Sequence, residues 1–171
     1  AVATPSNQSG CSGTAITTIA LSGTVSGTTY NWTRDNTVSV TGIASSGSGN
    51  ISGTLTNATA APVTVTFTIT PTANGCTGTE KMFTITVNPT PNVVQPPNQT
   101  LCNGATTNAI TFTGAMNSAT YSWSNSNPSI GLAATGTGNI AGFAAINTGN
   151  APVTATITVT PATNLCTGAP I

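Results

Sequence analysis

The side chains that could carry acid–base chemistry are confined to two adjacent pairs of opposite charge, Arg34–Asp35 and Glu80–Lys81. The sequence contains no histidine, and residues 92–171 carry no charged side chain at all. General acid–base catalysis needs a histidine, a tuned carboxylate or a lysine held in a pocket, whereas isolated surface pairs are usually solvated. We therefore interpret both pairs as solvated turn charges. We expect that the chain is not an enzyme and holds no cofactor.

The same shortage of charge excludes several kinds of ligand. Calcium sites need several oxygen ligands, usually carboxylates, and the chain has two acidic residues in all, so we expect no metal site. Binding of nucleic acid depends on clustered lysine and arginine, and only two basic residues are present. No stretch approaches the roughly 18 consecutive apolar residues of a membrane-spanning helix, so we expect no membrane insertion.

An internal repeat of about 90 residues organises the chain and has to position every candidate residue. The repeated residues, 90 or 91 positions apart, are Cys11 and Cys102, Tyr30 and Tyr121, Trp32 and Trp123, and Cys76 and Cys166. We predict two domains, residues 1–91 and residues 92–171, joined by the stiff linker Asn88–Pro91. The second copy stops before the last strand that the first copy predicts.

One stretch of each repeat alternates apolar residues strictly with threonine. In the first copy it covers Val63–Thr70, and in the second it covers Val153–Thr160. A period of two predicts a half-buried strand. Proline cannot donate to a ladder, so we expect the strand to lie between the prolines that flank it. Short apolar runs separated by Gly, Asn and Pro turns fill the rest of each copy and predict an all-β chain.

Three motifs give these repeats a resemblance to a known family. They are the Cys-x-Gly that begins at Cys11 and at Cys102, the Thr-Tyr-x-Trp that ends at Trp32 and at Trp123, and the Thr-x-Thr-Pro run that leads to Cys-Thr-Gly. The chain resembles the PKD-like repeats of large secreted surface proteins of Bacteroidetes-type bacteria. The resemblance implies two tandem immunoglobulin-like (PKD-like) β-sandwich domains. It also implies an extracellular location, with the chain secreted or attached to the cell surface.

Four cysteines, one pair per repeat, are the remaining candidates for chemistry. Cys-x-x-Cys spacing is absent, so disulfides are favoured over a zinc site in an exported protein. We expect Cys11, Cys76, Cys102 and Cys166 all to be oxidised. The simple pairing is Cys11–Cys76 and Cys102–Cys166, but in a sandwich these positions would lie at opposite ends. The alternative joins Cys11 to Cys166 and leaves Cys76 and Cys102 for neighbouring molecules.

The aromatic residues predict the core of each domain. We expect Trp32 and Trp123 to be buried against the inward side chains of the alternating strand, because a tryptophan on this strand is usually core in such sandwiches. The expected neighbours are Val65 and Phe67 in the first copy, and Ala155 and Ile157 in the second. The alternative is that Tyr30 and Trp32 stack on a sugar.

Two functions remain open. The favoured one is a structural extracellular repeat that forms a surface stalk, adhesin or filament by end-to-end arrangement, with copies of itself or neighbouring repeats as partners. The other is a module that binds a glycan or a partner on a host surface. Because the second copy lacks its last strand, we expect the edge of Val153–Thr160 to be filled. A continuation of the chain is the favoured route, and a strand donated by a neighbouring molecule is the other.

Overall fold

A computed structural model describes all residues, 1–171, and shows an all-β chain with almost no helix. The chain divides into two compact units, Ala1–Pro89 and Thr90–Ile171. This division falls two residues before the boundary expected from the repeat. The single helical element is a short 3-10 turn, Pro128–Ile130, in the second unit.

The first unit contains eight strands in two sheets. They are β1 (Gln8–Cys11), β2 (Thr29–Arg34), β3 (Val40–Gly42), β4 (Ser46–Ser48), β5 (Leu55–Asn57), β6 (Val63–Ala73), β7 (Cys76–Thr77) and β8 (Lys81–Asn88). The larger sheet has the order β1-β8-β6-β2-β4, with β7 paired to the far end of β6, and the smaller sheet pairs β3 with β5. One core cluster joins side chains of both sheets, as a sandwich requires.

Strand β6 forms where threonine alternates with apolar residues, and it is central because β8 and β2 pair with its two sides. Its inward residues Val65, Phe67 and Ile69 are fully buried, while the threonines between them are partly exposed. Phe67 stacks on Phe83 of β8 with ring centroids 5.1 Å apart. The predicted half-buried strand therefore supplies the middle of the sheet and the middle of the core.

The expectation that the strand ends before Pro71 is wrong, because β6 continues to Ala73. The carbonyl of Pro71 accepts a hydrogen bond of 2.8 Å from the N–H of Gly78, so its amide side faces the gap between β7 and β8. The pairing needs no backbone N–H donor at this position, so a proline destabilises the strand little. Pro161 occupies the same kind of place in the second unit, where its carbonyl accepts from Gly168 at 2.8 Å.

The second unit has a smaller sheet with the same pairing. Its strands are β9 (Thr120–Asn125), β10 (Thr135–Thr137) and β11 (Ile157–Ala162), in the order β10-β9-β11. Trp123 on β9 lies opposite Gly136 and Val159, just as Trp32 on β2 lies opposite Gly47 and Ile69. The register of the central strands is therefore the same in both units.

The second unit has no counterpart of β8. Ile171 exchanges two backbone hydrogen bonds with Val159, of 2.8 and 2.9 Å, and so holds the place that Lys81 holds opposite Ile69. No strand lies beside residues 153–156, and Val153 is 44% exposed. The predicted strand over Val153–Thr160 is accordingly wrong at its start, since β11 begins only at Ile157. An alternating sequence does not form a ladder without a partner strand.

A chain extended after Ile171 by a copy of the sequence Met82–Asn88 should have a more stable second unit. In the matching register, Phe83, Ile85 and Val87 are each 2% exposed in the first unit. Burial of each such side chain contributes about 1.5–3 kcal/mol. Urea unfolding of a Trp32→Phe background, followed by the fluorescence of Trp123, measures the second unit alone.

The matched control for this extension carries serine in place of its phenylalanine, isoleucine and valine. It should unfold at a midpoint close to that of the unextended chain, because it offers the same backbone donors without the apolar side chains. Equal midpoints for the two extended chains would show that the added strand does not occupy the place of β8.

Candidate functional site

Arg34 is a structural side chain, and its interpretation as a solvated turn charge is wrong. It is 9% exposed, and its Nε donates to the carbonyl of Ile43 at 2.8 Å, while Nη1 donates to the carbonyl of Val40 at 3.0 Å. Burial lowers the pKa of Arg34, and the neighbouring carboxylate of Asp35 opposes this shift. The guanidinium thus holds the loop after β2, and all of these acceptors are backbone oxygens.

Asp35 and Glu80 also make local hydrogen bonds. The Oδ1 of Asp35 accepts from the backbone N–H of Thr66 at 2.7 Å, which closes the end of the β2–β6 ladder. The hydroxyl of Thr70 donates to the Oε1 of Glu80 at 3.0 Å on the exposed side of β6. No group of three or more His, Cys, Asp or Glu side chains comes together in a way that could hold a metal ion.

The two tryptophans lie inside their units. Trp32 is 8% exposed and Trp123 is 9% exposed, and each indole covers the glycine opposite it on the neighbouring strand. A Cβ on Gly47 would overlap Cζ2 of Trp32, and one on Gly136 would overlap Cζ2 of Trp123. Only glycine leaves room for the indole at these two places. These two glycines were not predicted from the sequence. Each stands between two residues that carry a hydroxyl group, in Ser-Gly-Ser and in Thr-Gly-Thr, and this shared pattern could have identified them.

The neighbours of the tryptophans differ in part from those expected. Trp32 is tilted against Phe67 with ring centroids 5.8 Å apart, and its cross-strand partner is Ile69. Phe67 is fully buried. In the second unit the cross-strand partner of Trp123 is Val159, whereas Ile157 is half-buried at the margin of the same core cluster.

The residues around Trp32 offer no pocket of a catalytic kind. An open hollow of about 450 Å³ lies over the outer side of β2 and β4, and its polar lining comes from Asn31, Thr33, Ser46, Ser48 and Thr70. None of these side chains is ionisable. Tyr30 and Tyr121 are half-buried, each with its hydroxyl close to a glycine, Gly23 or Gly114.

The expectation that all four cysteines are oxidised is wrong. Cys11 and Cys166 are disulfide-bonded, whereas Cys76 and Cys102 are free thiols on the surface. The pairing Cys11–Cys76 and Cys102–Cys166 is also excluded, because each of these two bonds would need one of the free cysteines. The alternative weighed from the sequence, which leaves Cys76 and Cys102 for other molecules, agrees with this distribution.

The topology explains why Cys11 cannot reach Cys76. Cys11 lies opposite Asn88, next to the start of β6, whereas Cys76 pairs with Ala73 at its end. Strand β6 rises about 3.3 Å per residue, so its two ends are roughly 33 Å apart. A disulfide needs Cα atoms within about 7 Å of each other.

Replacement of Gly47 by alanine should destabilise the first unit by about 1–3 kcal/mol, the usual cost of overpacking a filled core. The indole of Trp32 lies between Gly47 and Phe67, so it cannot move away from the added methyl group. Chemical unfolding monitored by the fluorescence of Trp32, in a Trp123→Phe background, measures the effect.

The control for this substitution is Gly10→Ala. Gly10 also lies on a strand, and a Cβ there would meet nothing within 4 Å. Its effect should stay within about 0.5 kcal/mol, as for most surface changes. Equal stabilities of the two variants would show that the contact between glycine and tryptophan does not constrain the sheet.

Comparison with known proteins agrees with this architecture. A family profile described as a PKD-like domain matches residues 8–91, which cover β1 to β8 and the linker that follows. No curated protein matches the chain. The chain has no helix that is long and apolar enough to cross a membrane. Residues 8–91 therefore form a PKD-like domain.

Proposed function

We propose that this chain is a structural extracellular repeat protein, in which β-sandwich domains arranged end to end build a surface stalk, adhesin or filament. Residues 92–171 form the second domain of the same kind in this proposal. The observation that carries it is the repetition of the same internal contacts in both units. Repeat proteins gain length by adding units of this type, since each unit needs contacts only with its neighbours.

The repeated contacts involve special positions and are therefore stronger support than a shared strand pattern. Asn50 accepts from the N–H of Leu21 at 3.0 Å, and Asn139 accepts from the N–H of Phe112 at 2.9 Å. The contacts between tryptophan and glycine, and between tyrosine and glycine, also occur once in each unit. Two unrelated domains would not place asparagine, glycine and aromatic residues in the same register by chance.

The extracellular location has two kinds of support. Residues 8–91 match a PKD-like domain, and the chain contains disulfide-bonded cysteines, Cys11 and Cys166. Disulfides persist mainly in oxidising compartments outside the cytosol.

The rigidity of the connection favours a stalk. The linker after β8 contains Pro89 and Pro91, whose rings fix their own backbone φ angles. Pro91 is buried in the second unit, where its carbonyl oxygen lies close to Gly168.

The alternative function as a glycan-binding module has less support. Stacking on a sugar needs an exposed aromatic face, and Trp32 and Trp123 are both buried. Tyr30 and Tyr121 are half-buried beside glycine. The aromatic faces at the positions that the sequence suggested are thus largely covered.

Electron microscopy of the native surface material tests the proposed function. Antibodies against residues 1–171, coupled to gold, should label fibres or stalks that show a regular repeat along their length. Label on isolated compact particles alone would contradict the proposal.

A glycan array with the purified chain is the second arm of this test. The structural function predicts no specific binding above that of an unrelated β-sandwich domain. Specific binding that is lost when Tyr30 is replaced by alanine, in a variant that still unfolds cooperatively, would favour the glycan-binding module instead.

A further inference from the structure

The four cysteines occupy two kinds of position. Cys11 and Cys102 each open a tight turn, in which the cysteine carbonyl accepts a hydrogen bond of 3.1 Å from the residue three positions later. The glycine in each turn, Gly13 or Gly104, has a φ of 81°. We refer to Cys11 and Cys102 as the opening cysteines.

The other two cysteines follow the central strand of their units. Cys76 and Cys166 each precede a Thr-Gly pair, and each threonine pairs back across the hairpin, Thr77 with Thr72 and Thr167 with Ala162. We refer to Cys76 and Cys166 as the hairpin cysteines. The backbone pairing that follows these two cysteines is therefore repeated in the two units.

Only one of the two cysteines of each kind is oxidised. The oxidised cysteines are one opening cysteine, Cys11, and one hairpin cysteine, Cys166. The free cysteines are again one of each kind, Cys102 and Cys76, and both are exposed. The chain therefore has one free opening thiol and one free hairpin thiol. Their equivalents in the other unit are both oxidised.

We propose that Cys102 of one copy forms a disulfide with Cys76 of a second copy, so that the chains link head to tail. This inference rests on the proposed end-to-end arrangement and gives it a covalent bond. A bond between unlike positions leaves one opening and one hairpin thiol free at the two ends of every linked chain. Heterologous contacts of this kind produce open filaments when the rotation between copies does not close a ring.

The reaction is an ordinary thiol–disulfide exchange with an oxidising disulfide, such as oxidised glutathione or the active-site disulfide of an oxidase. The thiolate of Cys102 attacks one sulfur of the oxidant, and the first thiolate leaves. The thiolate of Cys76 from the second copy then attacks the Sγ of Cys102, and the second thiolate leaves. Two protein thiols are oxidised, one oxidant disulfide is reduced to two thiols, and the protons stay with those thiols.

Two single variants separate this pairing from random cross-linking. Cys76→Ser retains only the opening thiol Cys102, and Cys102→Ser retains only the hairpin thiol Cys76. The native chain, incubated with oxidised glutathione, should give a ladder of oligomers on a non-reducing gel. Each variant alone should stay monomeric, and an equimolar mixture of the two should stop at a dimer.

Peptide mass spectrometry of the products identifies the bond. Because docking raises the effective concentration of the correct pair, Cys76–Cys102 cross-links should exceed symmetric ones by about tenfold or more. Symmetric cross-links at equal abundance, a monomer with an internal Cys76–Cys102 bond, or a monomer that retains glutathione would each overturn the proposal.

Two results together, the dimer of the mixed single variants and the fibres of the native material, distinguish this proposal from the function on which it rests. If native fibres form but the mixed single variants give no dimer, the covalent link is wrong and the end-to-end function stands. If the mixture gives the dimer but native material contains only isolated particles, the pairing stands and the stalk function is wrong. The double variant should stay monomeric under oxidation in either case, which confirms that Cys11 and Cys166 do not exchange.

Discussion

The pairing of one alternating strand with one tryptophan-bearing strand is the constraint on which the rest of each unit depends. In the first unit β6 pairs with β2, and in the second unit β11 pairs with β9 in the same register. This register places the indole opposite a glycine on the neighbouring strand, which is β4 in the first unit and β10 in the second. A shift of the register by one residue would turn the indole towards solvent. The missing side chain of Gly47 or Gly136 is therefore what fixes the alignment of the sheet.

The sequence was a good guide wherever a pattern depends on local sterics alone. The period of two in Val63–Thr70 predicts the buried and exposed sides of β6 correctly. It fails at Val153, where the same pattern forms no strand because the neighbour that β8 supplies to the first unit is absent. Hydrogen bonding between strands is a property of the pair, and the pattern of one strand cannot report it.

The burial of Arg34 could not be predicted from the sequence, and the sequence left the choice between two cysteine arrangements open, for a similar reason. Arg34 looks like a turn charge because it stands next to Asp35, but three of its four acceptors are carbonyl groups six to ten residues away. The equivalence of Cys11 with Cys102 suggests equal chemistry, yet only Cys11 is oxidised. Both outcomes depend on which groups the folded chain brings close, and composition and spacing do not contain that information.

Comparison of the two units shows that charge is not needed for these structural tasks. Asn125 stands where Arg34 stands, and its Nδ2 donates to the carbonyl of Leu132 at 3.0 Å and to that of Ala133 at 3.3 Å. Ser126 replaces Asp35, and its hydroxyl accepts from the N–H of Thr156 at 2.8 Å.

A buried backbone carbonyl needs a donor, and a buried N–H needs an acceptor, but neither needs an ion. The neutral second unit meets both needs with an amide and a hydroxyl, as Arg34 and Asp35 do with charged groups in the first unit. The charges of the first unit thus perform hydrogen-bonding tasks that a repeat can lose without changing its pairing.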